Sequence, residues 1–193
     1  MSLAISITED VRAIPDGRLE ALIRAAVAGD RSALEDVLAS VERRVYLLAW
    51  RLIGDTSAAE DIAQEVLLKL ARHLDRYRPG TNLWGWIYRI VVNQVHDYRR
   101  SARVMPETPM PMPVPVSDSD RQEQLARVEA ALAILTPKER EAVILLDVEG
   151  YSSSEAASIA GTLAITVRTR AAHARKKLRR HLSRYYPELR EGS

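Results

Sequence analysis

The chain has 193 residues, enough for one or two domains with real cores at 47% apolar content, and no cysteine, which excludes disulfides, zinc–thiolate sites and cysteine nucleophiles. Its net charge of +2 conceals alternation: residues 1–70 carry 8 basic and 12 acidic side chains, 71–103 carry 7 and 2, 104–165 carry 4 and 10, and 166–193 carry 9 and 2. Two basic blocks, each preceded by an acidic one, predict two separate contacts with nucleic acid and acidic surfaces left for other partners.

Residues 1–16 show no period and are expected to be a flexible N-terminus. Met1 to Pro15 lacks the basic start and apolar block of a signal peptide, and no apolar run approaches the ~18 residues of a membrane span. A cytoplasmic protein without membrane insertion is the expectation. From Arg18 the pattern is helical, with Leu19, Leu22, Ile23 and Ala26 at spacings of three and four. Gly29-Asp30 breaks that helix, and Ser32 is placed to cap the next, whose apolar stripe is Leu34, Val37, Leu38, Val41, Val45, Leu48 and Leu52. Gly54-Asp55 ends it. Asp55 or Ser57 caps a third helix with Ile62, Val66, Leu67, Leu70 and Leu74 inward and Glu60, Asp61 and Glu65 outward, near the end where a helix favours anions.

Tyr77 to Asn82 is a loop on composition. A fourth helix follows, from about Leu83 to Arg100. Trp84, Ile87, Tyr88, Val91, Val95 and Tyr98 fall on one side and should be core; Trp86, Arg89, Asn93, His96 and Arg100 fall on the other. An aromatic among cations suits stacking on bases beside a charged backbone, and equally suits packing against a neighbouring helix. Between Met105 and Pro115 proline occupies 106, 109, 111, 113 and 115, a density that no helix survives. The expected fold is therefore all-α: two small helical domains, 17–103 and 122–187, joined by a Pro-rich linker over 104–121, with a tail at 188–193.

The second domain opens on Leu125, Val128, Leu132 and Leu135. Thr136-Pro137 with Glu139 starts a helix buried through Val143, Ile144, Leu145 and Leu146 and stopped by Gly150. Ser152 with Glu155 is a capping box for a short helix ending at Gly161. The stretch from Leu163 to Arg184 then carries Arg168, Arg170, Arg175, Lys176, Lys177, Arg179, Arg180 and Arg184, with no carboxylate between Glu155 and Glu188. Two helices joined by a tight glycine turn, the second strongly basic, read as a helix-turn-helix that meets a polyanion. No further C-terminal domain is expected, since only about eleven residues follow the basic helix.

These stretches resemble the sigma-70 family, in its small two-domain extracytoplasmic-function class. Asp61 to Leu70 resembles the family's core-polymerase-binding helix, and Tyr77 to Asn93 its loop and helix that melt and read the −10 element. Leu135 to Glu141, Gly150 to Ser152, Thr166 to Arg170 and Ala174 to Leu178 resemble its −35-reading domain. The resemblance implies a sigma region 2 domain and a sigma region 4 helix-turn-helix domain. It implies that Asp61, Gln64, Glu65 and Lys69 meet the clamp of the largest subunit of RNA polymerase. It assigns Arg78, Asn82, Trp86, Arg89, Asn93 and Arg100 to the −10 element, with Arg99 and Arg103 also on phosphates. In that role a loop amide or Asn82 captures a flipped base.

Thr166, Arg168, Thr169, Arg170 and His173 would read the −35 element, with Arg175, Lys176, Arg179 and Arg180 on its backbone. Thr136 and Lys138 are further candidates for phosphate. Promoter DNA, the polymerase core and an anti-sigma factor are the implied partners. The chain departs from the family's pattern at Leu163, where a polar cap is usual and Thr162 is the alternative, at Ile165 in place of a glycine, at Ala156 and Ala160, and at Trp84.

A transcriptional regulator that binds DNA without polymerase would share the helix-turn-helix. It would leave the acidic third helix and the Pro-Gly loop without a purpose. An enzyme is not expected: His73, His96, His173 and His181 are scattered, no phosphate-cradling glycine loop occurs, and no metal or cofactor is implied.

Overall fold

The computed structural model describes residues 16–102 and 130–184. The chain divides into two compact units, Met1–Thr108 and Pro109–Ser193. Every regular element among the described residues is helical. The proline stretch, Leu125, Val128, Arg103, the N-terminal 15 residues and the C-terminal tail lie outside them.

In the first unit, α1 (Asp16–Val27), α2 (Arg31–Ile53), α3 (Thr56–His73) and α4 (Leu83–Ala102) form a bundle in which α2 packs on the other three and α3 on α4. Ala33, Val37, Val41, Val45, Leu48, Ala49 and Leu52 of α2 are buried at helical spacing, while Leu34 and Leu38 are only half-buried. Ile62, Val66 and Leu70 of α3 and Ile87, Val91 and Val95 of α4 complete the core. Each such aliphatic contributes roughly 1.5–3 kcal/mol when fully buried.

Asp30, not Ser32, caps α2: its carboxylate accepts from the Ala33 amide at 3.0 Å, and its carbonyl takes the first helical bond, from Leu34. Asp55 caps α3 in the same way, accepting from Ala58 at 2.7 Å. Between them Gly54, at φ +80, ends α2 in a left-handed conformation that a residue with a Cβ would strain.

Trp84 is half-buried rather than core. The Arg44 guanidinium stacks 3.9 Å from its ring centroid, and the Arg44 Nε–H donates to the hydroxyl of the fully buried Tyr88 at 2.5 Å. A buried phenol left without a partner would cost about 1–3 kcal/mol, which explains why a cation sits under the fourth helix. Tyr98 is likewise half-buried, whereas Leu83 and Val92, not assigned from the sequence, are buried.

In the second unit, residues 130–133 are helical and lead to Thr136. Thr136 caps α5 (Pro137–Val143) through a complete capping box: its hydroxyl accepts from the Glu139 amide, and the Glu139 carboxylate accepts from the Thr136 amide at 2.9 Å. The chain then widens into a π turn over Ile144–Val148, closed by the Glu149 amide donating to the Ile144 carbonyl. Helix α6 (Ser153–Ala160) starts on the Ser152–Glu155 box, and α7 (Ala164–Leu182) packs on both α5 and α6. Gly161, at φ +62, makes the turn between α6 and α7.

Candidate nucleic-acid interface

Two faces of the first unit carry the residues expected to make its contacts. On α3, Asp61, Gln64 and Glu65 are exposed at the spacing of one helical stripe. Leu68, three residues beyond Glu65 and 47% exposed, extends the same stripe. Reading the sequence for the buried face alone passed over it, although its place seven residues after Asp61 is a usable signal. Lys69 differs from the other three expected residues. It is half-buried and its ammonium donates to the Gln94 side chain of α4, tying the two helices together.

The second face runs from the loop onto α4. Arg78 is exposed on the loop, and Arg89, Asn93 and Arg100 are exposed along α4. Arg100 pairs with Asp97 one turn earlier, and the Arg99 guanidinium donates to the Leu52 carbonyl at 2.5 Å. Trp86 is half-buried with its ring 5.7 Å from that of Tyr77 and tilted to it, so part of it packs within the unit.

Tyr77 itself is 5% exposed, a buried aromatic inside a stretch that composition marks only as loop. Its hydroxyl lies 2.9 Å from the Thr81 carbonyl and 3.1 Å from the Glu20 carboxylate, two acceptors that share its one proton. Glu20 also accepts from the Gly80 amide at 3.2 Å, and the Thr81 amide donates to the Arg78 carbonyl. The loop is therefore held from α1 by one carboxylate, and its Gly80 and Thr81 amides already have acceptors. Asn82 caps α4: its Oδ1 accepts from the Gly85 amide at 2.8 Å and its backbone carbonyl from Trp86. A Cβ at Gly85 would lie 3.1–3.3 Å from the Asn82 amide group, a close contact that a shift of a few tenths of an ångström in that side chain would relieve. With Oδ1 engaged, the side-chain Nδ2 is the group through which Asn82 can donate to a base.

In the second unit Val167, Ala171 and Ala174 of α7 are buried against its partners. Arg168, Thr169, His173, Lys176, Arg179 and Arg180 are exposed, and Thr166 and Arg170 are half-buried. Two cations of the helix already hold carboxylates. Arg175 makes a fork with Asp147 at 2.9 and 2.5 Å, and the bond to Asp147 holds its pKa above the usual arginine value. Lys177 binds Glu139 at 2.7 Å. Burial pushes the Glu139 carboxyl up, but the bonds from Lys177 and Thr136 outweigh it and leave the pKa below the ordinary value. The side chain of Thr136 is spent on its capping box, and Lys138 pairs with Glu141 at 3.4 Å. The helix begins at Ala164 with Leu163 at the cap position making no side-chain bond, so Thr162 does not take over as cap. No group of metal-ligating side chains occurs among the described residues, and none of their helices is long and apolar enough to cross a membrane.

Residues 27–104 match Sigma-70 region 2, and residues 125–178 match Sigma-70, region 4. The chain is 34% identical over 172 residues to the ECF RNA polymerase sigma factor SigE of Mycolicibacterium smegmatis, spanning 83% of this chain and 66% of that one. It is 36% identical over 163 residues to the ECF RNA polymerase sigma factor SigM of Mycobacterium tuberculosis, spanning 83% of each. Among solved structures it is similar to the sigma factor RpoE in complex with the anti-sigma factor NepR from Bartonella quintana, at 27% identity and a TM-score of 0.64 over 77% of this chain and 96% of that one. It is also similar to CnrH in complex with the cytosolic domain of CnrY, at 25% identity and a TM-score of 0.62 over 85% and 96%.

Proposed function

The chain belongs to the sigma-70 family, in its extracytoplasmic-function class, and from that premise we infer how its surfaces divide the work of directing promoter-specific transcription with RNA polymerase. The observation that carries the division is the pair of cationic helices: α4 in the region 2 match and α7 in the region 4 match. Asp61, Gln64 and Glu65 on α3 dock on the polymerase clamp, with Leu68 supplying an apolar contact inside their polar stripe. Lys69 serves by fixing α3 to α4. Arg78, Asn82, Trp86, Arg89, Asn93 and Arg100 face the −10 element, where the half-buried Trp86 ring is the stacking group and Asn82 Nδ2 a donor.

On α7, Thr166, Arg168, Thr169, Arg170 and His173 lie toward base edges, and Lys176, Arg179 and Arg180 toward phosphates. Arg175 is held by Asp147, so its charge toward phosphate is partly offset until that pair opens. The chain does no bond chemistry of its own; that belongs to the polymerase, and the setting is the cytoplasm where polymerase and promoter meet. The solved relatives are seen with an anti-sigma factor and with the cytosolic domain of CnrY. An inhibitor that covers the α3 and α7 faces is accordingly the control partner.

Charge reversal tests the docking face. Glu65→Lys is expected to reduce copurification with core polymerase by tenfold or more while leaving duplex binding through α7 unchanged. Undiminished copurification of a Glu65→Lys, Asp61→Lys double variant would remove α3 from the interface.

A further inference from the structure

The outward face of α7 is apolar at its start. Ile165 is 59% exposed, and Leu163, at the cap position, is 70% exposed. Thr169 and Ala172 are exposed four and seven residues after Ile165, the spacing that lines up one helical face. The Thr169 hydroxyl donates to the Ile165 carbonyl at 3.0 Å. Its polar atom is thus turned back onto the helix, and its methyl is what the side chain presents outward. Val167, Ala171 and Ala174 occupy the opposite, buried side. Around the stripe Ile165–Thr169–Ala172 stand exposed Arg168, His173 and Lys176.

A branched aliphatic in water contributes nothing to folding, and an uncapped first turn forgoes roughly 1 kcal/mol that Ser, Thr or Asp would supply at the position of Leu163. Local rules broken together at one place mark a surface shaped for something other than stability. The rim of cations suits a polyanion, and as the second helix after the Gly161 turn α7 is the one that the −35 assignment places in the major groove. The apolar group on base edges in that groove is the C5-methyl of thymine, which pairs with aliphatic, Thr-methyl and Ala contacts.

We propose that Ile165, Thr169 and Ala172 form a thymine-methyl-reading stripe, so that this chain's −35 specificity rests on apolar contacts to thymine as well as on hydrogen bonds from Arg168. The proposal rests on the assignment of α7 to the −35 element and gives that element a chemical content. The cations at its rim set position on the phosphates, and the stripe discriminates.

The test uses holoenzyme assembled from the full chain and core polymerase on the strongest promoter drawn from a random library. Each thymine of the −35 element, on either strand, is replaced in turn by deoxyuridine, which lacks only the methyl. At least one replacement is expected to weaken binding about fourfold, the worth of one buried methyl. Ile165→Ala should bind more weakly to the thymine promoter and lose that sensitivity, while Ile165→Val keeps it. Because Ile165 is exposed and Ala favours helix, the variant is expected to fold. Lys176→Ala, by contrast, should weaken thymine and deoxyuridine promoters equally. Indifference of the wild-type holoenzyme to every deoxyuridine, or undiminished sensitivity in Ile165→Ala, would overturn the proposal and leave the stripe to a protein partner. Undiminished holoenzyme binding when the whole −35 element is replaced would instead overturn the −35 assignment beneath it, and the proposal with it.

Discussion

Asn82 closes the first turn of α4 with its side-chain Oδ1, and its Nδ2 is the donor proposed to meet a base of the −10 element. The two roles separate by substitution. Asn82→Ser keeps a capping oxygen and removes the amide; Asn82→Ala removes both. The serine variant should melt within about 0.5 kcal/mol of wild type and form open complexes slowly, and the alanine variant should also lose about 1 kcal/mol of stability. Thermal unfolding together with permanganate footprinting of the −10 region distinguishes them. Normal opening by Asn82→Ser would take the amide out of the site. Asp147 poses the converse case, since it holds a cation that the promoter could use. Such an exposed pair adds little stability, about 0–1 kcal/mol. Asp147→Asn should therefore leave folding nearly unchanged, tighten duplex binding severalfold and steepen its salt dependence. Weaker binding would mean that the pair is needed to aim Arg175.

At the scale of elements, the helix starts show what a sequence carries and what it does not. Thr136 and Ser152 were legible because each is followed three residues later by the glutamate that completes its capping box, and Asp55 was one of two candidates with Ser57. Asp30 and Ser32 are both able to cap. The choice fell to Asp30 because the helical bonds begin at Leu34, which local composition does not fix. The contacts that shape the candidate site are long-range and had no such signal. Arg44 meets Tyr88 across 44 positions, Glu20 meets Gly80 across 60, and Arg175 meets Asp147 across 28. The π turn at Ile144–Val148 was likewise hidden, since four apolar residues in a row fit either helix.

Two elements give predictions. Glu20→Ala should free the Gly80 amide, speeding its hydrogen exchange and slowing promoter melting, with −35 duplex binding unaffected; an unchanged exchange rate would show that the loop holds its own shape. Glu139 has a depressed pKa, so its stabilising contribution is complete above the unfolded value near 4.5 and is lost as pH falls through the lower folded value. The second unit should accordingly lose thermal stability on acidification below about pH 4.5, and Glu139→Gln should flatten that part of the profile. An identical profile in the variant would assign the acid sensitivity elsewhere.

Over the whole molecule, two units with cationic helices are expected to bind promoter DNA through many phosphates. Duplex affinity should drop steeply with salt, by a slope of roughly −0.9 for each phosphate neutralised. Lys176→Ala and Arg179→Ala should each reduce the slope by about one. A flat response between low and physiological salt would contradict a cationic grip. The division of labour itself is tested by run-off transcription with purified chain and sigma-free core polymerase on a pool of randomised promoters. Transcripts should appear only when the chain is added, and their templates should share two short elements at the −10 and −35 positions. Failure to start RNA from any template, with polymerase shown active by a second sigma factor, would contradict the assignment.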